Sequence, residues 1–286
     1  MCMTVIKVFK QKTFLLFVSN FRKSHKKAAS AAFFVSVKFQ FPIIFLVVCY
    51  TLLSEVKNLK YLTFVIGALL SGAVIAGECH NSFLTSAEGS HDYKVSFNGI
   101  SGSGDVGLKR QSDGSYLFTQ ELGLLLATLT VESLLELSND RLTPLSYREE
   151  QKGMGKKLTT MTFADGRADI QRKGKSYSFD VPSQFQDQLS QTLYLQMTTA
   201  CSPEMSQIEM SVASPKRLKQ VTYQRKEDVP LSQRYNGLTA QQWVYEEGET
   251  RDTLLLLPAL NNLLVLLEHQ DEGDVTRLEL KELPPG

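Results

Sequence analysis

Residues 156–181 read KKLTTMTFADGRADIQRKGKSYSFDV, and apolar and polar side chains alternate within them in three short runs. Alternation with a period of two is typical of strands that bury one face. Asp165-Gly166 and Lys173-Gly174 separate the runs, and two-residue connections that contain glycine close tight hairpins. The stretch therefore predicts three consecutive antiparallel strands.

The alternating pattern continues through most of the chain from residue 90 onward. Asn98-Gly99, Asn236-Gly237 and 271–274 (DEGD) are clear turns between such runs. Strands joined by so few residues are antiparallel, and an antiparallel sheet of about 11–13 strands curls or closes. We therefore predict a mostly β protein with a large curled antiparallel sheet or partly open barrel. Further runs typical of strands lie at 93–97, 106–108, 116–122, 129–137, 145–149, 208–212, 218–225, 238–245, 253–257, 263–270 and 275–280.

Residues 183–197 have a different period. Phe185, Leu189, Leu193 and Met197 are spaced four apart, which is the spacing of one helix face. The segment follows a proline, and its first residue is a serine with glutamine three positions later, the pattern of a capping box. We predict one amphipathic helix over 183–197 that packs on the sheet.

The first 76 residues differ in composition from the rest. They contain ten Lys or Arg and a single acid, Glu55, whereas the remainder contains 21 basic and 29 acidic residues. The formal net charge of +1 thus conceals a net charge of −8 after residue 76, which disfavours nucleic-acid binding. Eight basic residues and four acids lie between Arg148 and Lys175. We interpret them as a solvated face, with contact to anionic lipid headgroups as the alternative.

Residues 56–76 have the layout of a secretory signal peptide. Lys57 and Lys60 form a positive start, 62–75 are mostly apolar, and the final VIA suits a cleavage site. The apolar run is short compared with the roughly 20 residues that a transmembrane helix needs. We predict cleavage after Ala76 and export to the periplasm.

This interpretation divides the chain into four segments. Residues 1–55 are an over-extended gene model or a disordered or membrane-associated leader, and the alternative is a genuine two-span membrane hairpin. Residues 56–76 are the signal peptide, and 77–89 are expected to be a mobile N-terminus. Residues 90–283 are expected to form a single β-rich periplasmic domain.

Cys79 and Cys201 are the two cysteines that follow residue 76. In an exported chain such a pair is compatible with one disulfide, and two unpaired thiols are the alternative. Cys79, His80 and His91 lack a second closely spaced ligand pair, so we predict no metal site.

Residues 102–107 (GSGDVG) match the G-x-G-x-x-G spacing of dinucleotide-binding loops. Such a loop must open a helix, whereas here another turn and strand follow, which favours a hairpin with a bulge. The sequence contains no G-x-S-x-G, H-E-x-x-H or phosphate-loop motif. We therefore predict no catalytic residues and no cofactor.

Two leucine-rich runs, 122–129 (LGLLLATL) and 254–267 (LLLLPALNNLLVLL), are apolar on both faces of their predicted strands. Either these strands are covered on both sides, or one face lines an apolar cavity. We predict that these runs and the helix contribute to a site for an apolar ligand. The candidate lining residues are Leu124, Leu125, Leu126, Phe185, Leu189, Leu193, Leu255, Leu257, Leu264 and Leu266.

Several stretches resemble the bacterial domain-of-unknown-function family 3108, and the resemblance covers about residues 90–283. They are 93–99 (YKVSFNG), 141–147 (RLTPLSY), 153–157 (GMGKK), 253–268 and 278–280. The resemblance implies an exported, mostly β envelope protein of a Gram-negative bacterium. It implies no catalytic residues, because the family has no established activity.

Together these features predict a non-enzymatic periplasmic protein that binds an apolar or lipid-like envelope molecule, such as a lipid or an acylated component. The alternative is an envelope scaffold or assembly partner that acts through protein–protein contacts. A hydrolase would need a polar constellation that the sequence does not display.

Overall fold

A computed structural model of the 286-residue chain describes residues 4–6, 15–17, 74–125, 127–153 and 155–284. The chain forms two units, which divide after Leu69. In the first, strands β1 (Thr4–Ile6) and β2 (Leu15–Phe17) pair antiparallel. The remainder of the predicted leader and residues 56–73 of the predicted signal peptide lie outside the described residues. Within the described ranges, no helix has the length and apolarity needed to cross a bilayer.

The second unit is built on one sheet of sixteen strands. Two α-helices, α1 (Val74–Ser86) and α2 (Ser190–Cys201), accompany it, with short 3-10 turns at Gln233–Tyr235 and Pro258–Leu260. The strands are β3 (Gly89–Phe97), β4 (Ile100–Arg110), β5 (Tyr116–Leu124), β6 (Ala127–Ser138), β7 (Arg141–Lys152), β8 (Lys157–Ala164), β9 (Arg167–Arg172), β10 (Lys175–Asp180), β11 (Gln186–Asp187), β12 (Gln207–Ala213), β13 (Leu218–Arg225), β14 (Val229–Pro230), β15 (Thr239–Glu247), β16 (Thr250–Leu257), β17 (Leu263–Asp271) and β18 (Asp274–Leu280).

The strand order is β10-β9-β8-β7-β6-β5-β4-β3-β18-β17-β16-β15-β13-β12-β11, and β14 pairs with β15. Neighbours are antiparallel throughout, except that β11 runs parallel to β12. The prediction of a mostly β protein with a large antiparallel sheet is confirmed. The count exceeds the predicted 11–13, in part because β11 and β14 have two residues each, too few to show alternation.

The sheet curls without closing into a barrel. Its two ends in the strand order, β10 and β11, do not pair with each other. Side chains nevertheless connect the halves. The Gln186 amide of β11 donates to the carbonyl of Leu142 on β7 at 2.8 Å, and the Tyr177 hydroxyl of β10 donates to the carbonyl of Pro215. The inward faces of the two halves therefore face each other across the interior.

The turn dipeptides adopt the backbone that the sequence indicates. Asp165 and Gly166 have φ of 51° and 74°, and Lys173 and Gly174 have φ of 52° and 71°. Two consecutive positive φ values are typical of the turns that match the twist of a tight hairpin. Strands β8, β9 and β10 pair in continuous register, as the sequence of residues 156–181 predicts.

Helix α2 begins at Ser190, so the predicted start at residue 183 is wrong. Residues 186 and 187 instead form β11, and the side chain of Asp187 caps the chain that enters α2. Its Oδ1 accepts hydrogen bonds from the backbone N–H groups of Leu189 and Ser190, each at 2.8 Å. The Ser190 hydroxyl accepts in return from the Asp187 N–H at 2.9 Å, which completes a reciprocal cap. The predicted Ser183 cap is thus replaced by a buried carboxylate.

The apolar spacing of this segment still identifies its buried face. Phe185, Leu189, Leu193 and Met197 all have relative exposures of 6% or less, and they belong to one apolar cluster with strands β4–β9. The first two lie before the helix. The spacing therefore predicted burial correctly and helix length incorrectly.

Residues 77–89 do not form the expected mobile N-terminus. Helix α1 extends to Ser86, and the side chains of Phe83 and Leu84 are buried. A disulfide joins Cys79 to Cys201 at the end of α2, with Cα atoms 5.8 Å apart. The buried side chains of Phe83 and Leu84 and the disulfide together hold α1 against α2. The two bonded cysteines are 122 residues apart in the sequence.

The glycines of the 102–107 motif lie inside β4, and no helix follows them. The register with β3 and β5 is continuous there, so the predicted bulge is wrong. A Cβ atom on Gly102 would lie 1.9 Å from the carbonyl oxygen of Gly123, and one on Gly104 would lie 2.8 Å from Val95 Cγ2. Because these glycines have no side chain, β4 can lie close to its neighbouring strands β3 and β5.

Candidate functional site

A cavity of about 350 Å³ lies between the two halves of the curled sheet, and we call it the mouth cavity. Inward-facing residues of β4–β7 form one wall, residues of β12–β17 form the other, and the start of α2 completes it. Its apolar lining includes Val106, Phe118, Leu129, Val131, Leu189, Val212, Val221, Leu264 and Leu267. Because these strands alternate, their apolar sides face the interior and their polar sides face solvent.

A second cavity of about 500 Å³ lies beside α1, and we call it the helix cavity. Phe83 of α1, Leu193 of α2 and Leu263 of β17 contribute to its lining. Three residues line both cavities: Val106, Phe118 and Leu264. The two cavities are therefore adjacent, and one layer of side chains lies between them.

Polar groups cluster in the mouth cavity around Asp252. His269 Nδ1 lies 2.5 Å from Asp252 Oδ1, and the Tyr223 hydroxyl donates to Asp252 Oδ2 at 3.4 Å. The hydrogen bond that the His269 ring donates to the Asp252 carboxylate raises the pKa of His269 above its ordinary value of 6.5, and partial burial of the ring opposes this shift. Burial raises the pKa of Tyr223, and the neighbouring carboxylate adds to this effect. Lys219 lines the same cavity.

A second tyrosine–carboxylate pair lies on the opposite wall. The Tyr147 hydroxyl donates to Glu149 Oε2 at 2.9 Å, and both residues line the mouth cavity. Burial raises the pKa of Tyr147, so it remains a neutral donor at physiological pH. The cavity thus combines apolar walls with a few fixed hydrogen-bonding groups, the usual composition of small-molecule sites.

The chemistry that this arrangement offers is recognition of a polar group. No described hydrogen bond joins His269 to a serine, threonine or cysteine, which a nucleophilic triad would require. Among the described residues, no group of three or more His, Cys, Asp or Glu is placed to hold a metal ion. Cys79 is committed to the disulfide, so its thiolate is not free to act as a ligand.

Asp187 supports the floor of the mouth cavity. It is fully buried, accepts a hydrogen bond from the Ser133 hydroxyl on β6, and precedes Gln188 and Leu189, which line the cavity. Burial raises the pKa of this carboxyl, whereas its hydrogen bonds from Ser133, Leu189 and Ser190 act in the opposite direction. The residue fixes the start of α2 against the first half of the sheet.

Three of the predicted lining residues lie at the cavities. Leu189 lines the mouth cavity, Leu193 lines the helix cavity, and Leu264 lines both. Phe185 is buried and packs against Phe163, with ring centroids 4.9 Å apart. The helix segment and β17 therefore contribute side chains to the interior, and a role of these residues in ligand binding stays a prediction.

The other predicted lining residues lie elsewhere. Leu124 and Leu125 belong to the end of the β5–β6 hairpin, and Leu125 is 82% exposed with φ of 43°. Leu126 lies outside the described residues. Leu255 and Leu257 are buried in the apolar cluster of the second half, against which Leu266 packs. The apolar end of strand β16 is thus covered on both sides. Of the two explanations for its leucine-rich sequence, burial of both faces applies rather than one face that lines a cavity.

The polar groups of the mouth cavity carry no local sequence signal. Tyr223, Asp252 and His269 lie on three different strands, far apart in the sequence. Only the strand register, which places Asp252 directly opposite His269, brings them together.

No known protein family matches the chain, and no curated protein matches it either. A similar solved structure is the β-barrel-like protein of domain of unknown function DUF1849 from Brucella abortus, with a TM-score of 0.45 and 10% identity over 68% of this chain and 95% of that one. The complex of Pseudomonas aeruginosa MucA/MucB has a TM-score of 0.16 and 8% identity over 72% of this chain and 93% of that one. The assignment to family 3108 stays a prediction. The fold and cavities of the present chain define a curled-sheet protein with an apolar interior.

Proposed function

We propose that this protein binds an apolar or amphipathic molecule of the cell envelope, such as a lipid or an acylated chain, and that it does so without catalysis. The observation that carries the proposal is the pair of adjacent cavities between the two sheet halves, of about 350 and 500 Å³. Ligand sites typically measure roughly 300–1,000 Å³ and are mostly apolar with a few polar groups.

The distribution of polar groups suggests an orientation for such a ligand. An apolar chain would lie past Val106 and Phe118 towards α1, where the lining is mostly apolar. A polar end would lie near Lys219, Asp252 and His269, which can offer charge and hydrogen bonds. Placing each part of an amphipathic ligand in this way avoids the cost of burying an unpaired polar group.

The proposal includes export to the periplasm after cleavage following Ala76. The sequence of residues 56–76 supports it. The Cys79–Cys201 disulfide is in keeping with it, because disulfides persist in oxidising compartments and are rare in the bacterial cytosol.

A cavity-filling variant tests the ligand proposal. Val106→Trp would place a large side chain between the cavities, and Leu158→Trp, on the exposed surface of β8, is the matched control. Native mass spectrometry of each protein purified from the periplasm should show a mass beginning at Gly77. We expect a lipid-sized adduct on the original protein and on Leu158→Trp, and its loss from a folded Val106→Trp. An adduct retained equally by folded Val106→Trp, or absent from all three proteins, would refute the proposal.

A second candidate function is an envelope scaffold that pairs through a sheet edge. Strand β10 ends the strand order, and among the described strands it pairs with β9 alone. An unpaired edge offers backbone groups to a strand of another protein. A photo-crosslinker at Ser176 on β10 should then capture an envelope protein. One at Ser138, at the end of β6, should not, because β6 already pairs with β5 and β7. Equal labelling at both positions would argue against pairing through β10.

A further inference from the structure

Every second hairpin of the first half of the sheet turns at the same end, which makes four such turns among the described strands β3–β10. The register pairs Ser103 with Gly123, Thr128 with Lys152 and Thr159 with Arg172, which places the β3–β4, β5–β6, β7–β8 and β9–β10 turns side by side. We call this end the rim. Its described residues are 97–100, 124–125, 152–153, 155–157 and 172–175.

Apolar side chains are exposed on the first two hairpins of the rim. Leu125 is 82% exposed, Ile100 is 45% exposed and Phe97 is 37% exposed. Strands β4 and β5 are neighbours, so these side chains belong to adjacent turns. Leu125 also has φ of 43°, a backbone conformation that favours Gly or Asn over leucine. Neither burial nor local geometry therefore accounts for a leucine at this position.

Positive charge is concentrated on the next two hairpins. Lys152, Lys156 and Lys157 lie at the β7–β8 turn, and residues 172–175 (RKGK) form the β9–β10 turn, with no acid in either stretch. Lys152 Nζ lies 3.6 Å from Glu150 Oε2 and forms an ion pair with it. Lys156 also interacts electrostatically with Glu150, whereas Lys157, Lys173 and Lys175 take part in none of the described ion pairs.

The curl of the sheet extends this basic arc. The Tyr177 hydroxyl contacts the carbonyl of Pro215, which places the exposed Lys216 and Arg217 of the β12–β13 turn next to β10. By contrast, the β15–β16 and β17–β18 turns carry acids, including Glu249 and Glu272. Along this end, basic turns are therefore followed by the apolar hairpins and then by acidic turns, and Asn98 of the β3–β4 turn donates to Asp274 of the acidic β17–β18 turn at 2.8 Å.

We propose that the rim docks on an anionic lipid surface, with Leu125 and Ile100 entering the headgroup region and the lysines pairing with lipid phosphates. Apolar side chains flanked by lysines are the combination by which proteins adhere to anionic membranes. An anionic surface would repel the acidic turns beside the apolar hairpins, so the molecule would tilt towards its basic turns. This docking does not depend on the cavities or on their ligand.

Vesicle co-flotation tests the proposal on the processed protein recovered from a bacterial host. The probes are vesicles of phosphatidylethanolamine with phosphatidylglycerol, and vesicles of phosphatidylcholine alone. We expect binding to the first kind and little to the second, with binding weakened by added salt. Equal binding to both kinds, or none to either, would overturn the proposal.

Two variants separate the apolar and the charged contributions. Leu125→Asn suits the positive φ and should fold, yet lower the vesicle-binding constant about tenfold by removing an inserted leucine. Lys156→Gln combined with Lys157→Gln should lower it by a similar or larger factor at low salt and little at high salt. The matched control is Lys109→Gln with Arg110→Gln, which removes two charges from the opposite end of β4.

Other partners at the rim would give different results in these experiments. If Leu125→Asn leaves vesicle binding unchanged but abolishes a dimer seen by light scattering, the rim is a self-association surface and the membrane proposal is wrong. Val106→Trp should retain vesicle binding even though it fills the cavity. Its loss of the lipid adduct therefore reports on the ligand proposal alone.

Discussion

Asp252 and His269 face each other across β16 and β17, with 2.5 Å between Asp252 Oδ1 and His269 Nδ1. The carboxylate side chain is 13% exposed and the imidazole is 46% exposed, so the pair spans the boundary between the mouth cavity and solvent. A carboxylate in this position stabilises the charged form of the imidazole. The pair therefore gives the mouth cavity a charge that depends on pH.

The first prediction concerns the titration of His269. Its pKa should be above 6.5 in the folded protein, because Asp252 stabilises the protonated ring. The pair then stabilises the fold below pH 6.5, and that contribution is lost as the pH rises through the folded pKa. NMR titration of the imidazole measures this directly, and Asp252→Asn should lower the value. A folded pKa of 6.5 or less would contradict the assigned contact.

The second prediction concerns Asp187. Asp187→Ala should lower the free energy of unfolding by about 2–4 kcal/mol, because it removes the cap of α2 and leaves buried donors without a partner. Asp187→Asn keeps an acceptor for the backbone N–H groups and should retain most of the stability. Urea denaturation measures both, with Asp180→Ala on the exposed end of β10 as control. Equal losses for the alanine and asparagine variants would show that the cap contributes little.

The pH dependence of Asp187 has the opposite sign to that of a paired surface carboxylate. Burial raises its pKa above the ordinary 3.8, so the folded carboxyl holds its proton more tightly than the unfolded one. Its contribution to stability therefore falls as the pH rises from the unfolded to the folded pKa. Asp187→Asn should remove this fall, and an unchanged stability profile would refute the assignment.

The third prediction concerns the disulfide. Cys79→Ser with Cys201→Ser should lower the free energy of unfolding by about 4–5 kcal/mol in the chain-entropy description, because the bond closes a loop of 122 residues. The oxidised protein should also gain two mass units on reduction. A thiol assay that finds two free cysteines in periplasmic protein would contradict the bond.

The fourth prediction concerns close packing in β4. Gly102→Ala would place a methyl group against the Gly123 carbonyl and should lower stability by about 1–3 kcal/mol or prevent folding. Gly123→Ala is the matched control, because its new Cβ would lie 3.6 Å from the nearest atom. Thermal unfolding compares the two, and similar melting temperatures would show that the strands can separate at no cost.

The sequence by itself determined the local structure of this protein. Alternation identified the strands, and Asp165-Gly166 and Lys173-Gly174 identified hairpins, because backbone sterics at a two-residue turn depend on those residues alone. The spacing of Phe185, Leu189 and Leu193 identified a buried face for the same local reason. These features predicted the fold class without any knowledge of long-range contacts.

Only the tertiary structure decided which buried faces enclose a cavity. Leu125 and Leu255 look alike in sequence, yet one lies exposed on a turn and the other lies in the core. Asp252 and His269 meet through strand register, and the curl of the sheet brings Val106 and Leu264 to the lining of the same cavity. Alternation shows that a side chain points to one face of a sheet. What covers that face depends on strand order and curvature, which arise from contacts between residues far apart in the chain.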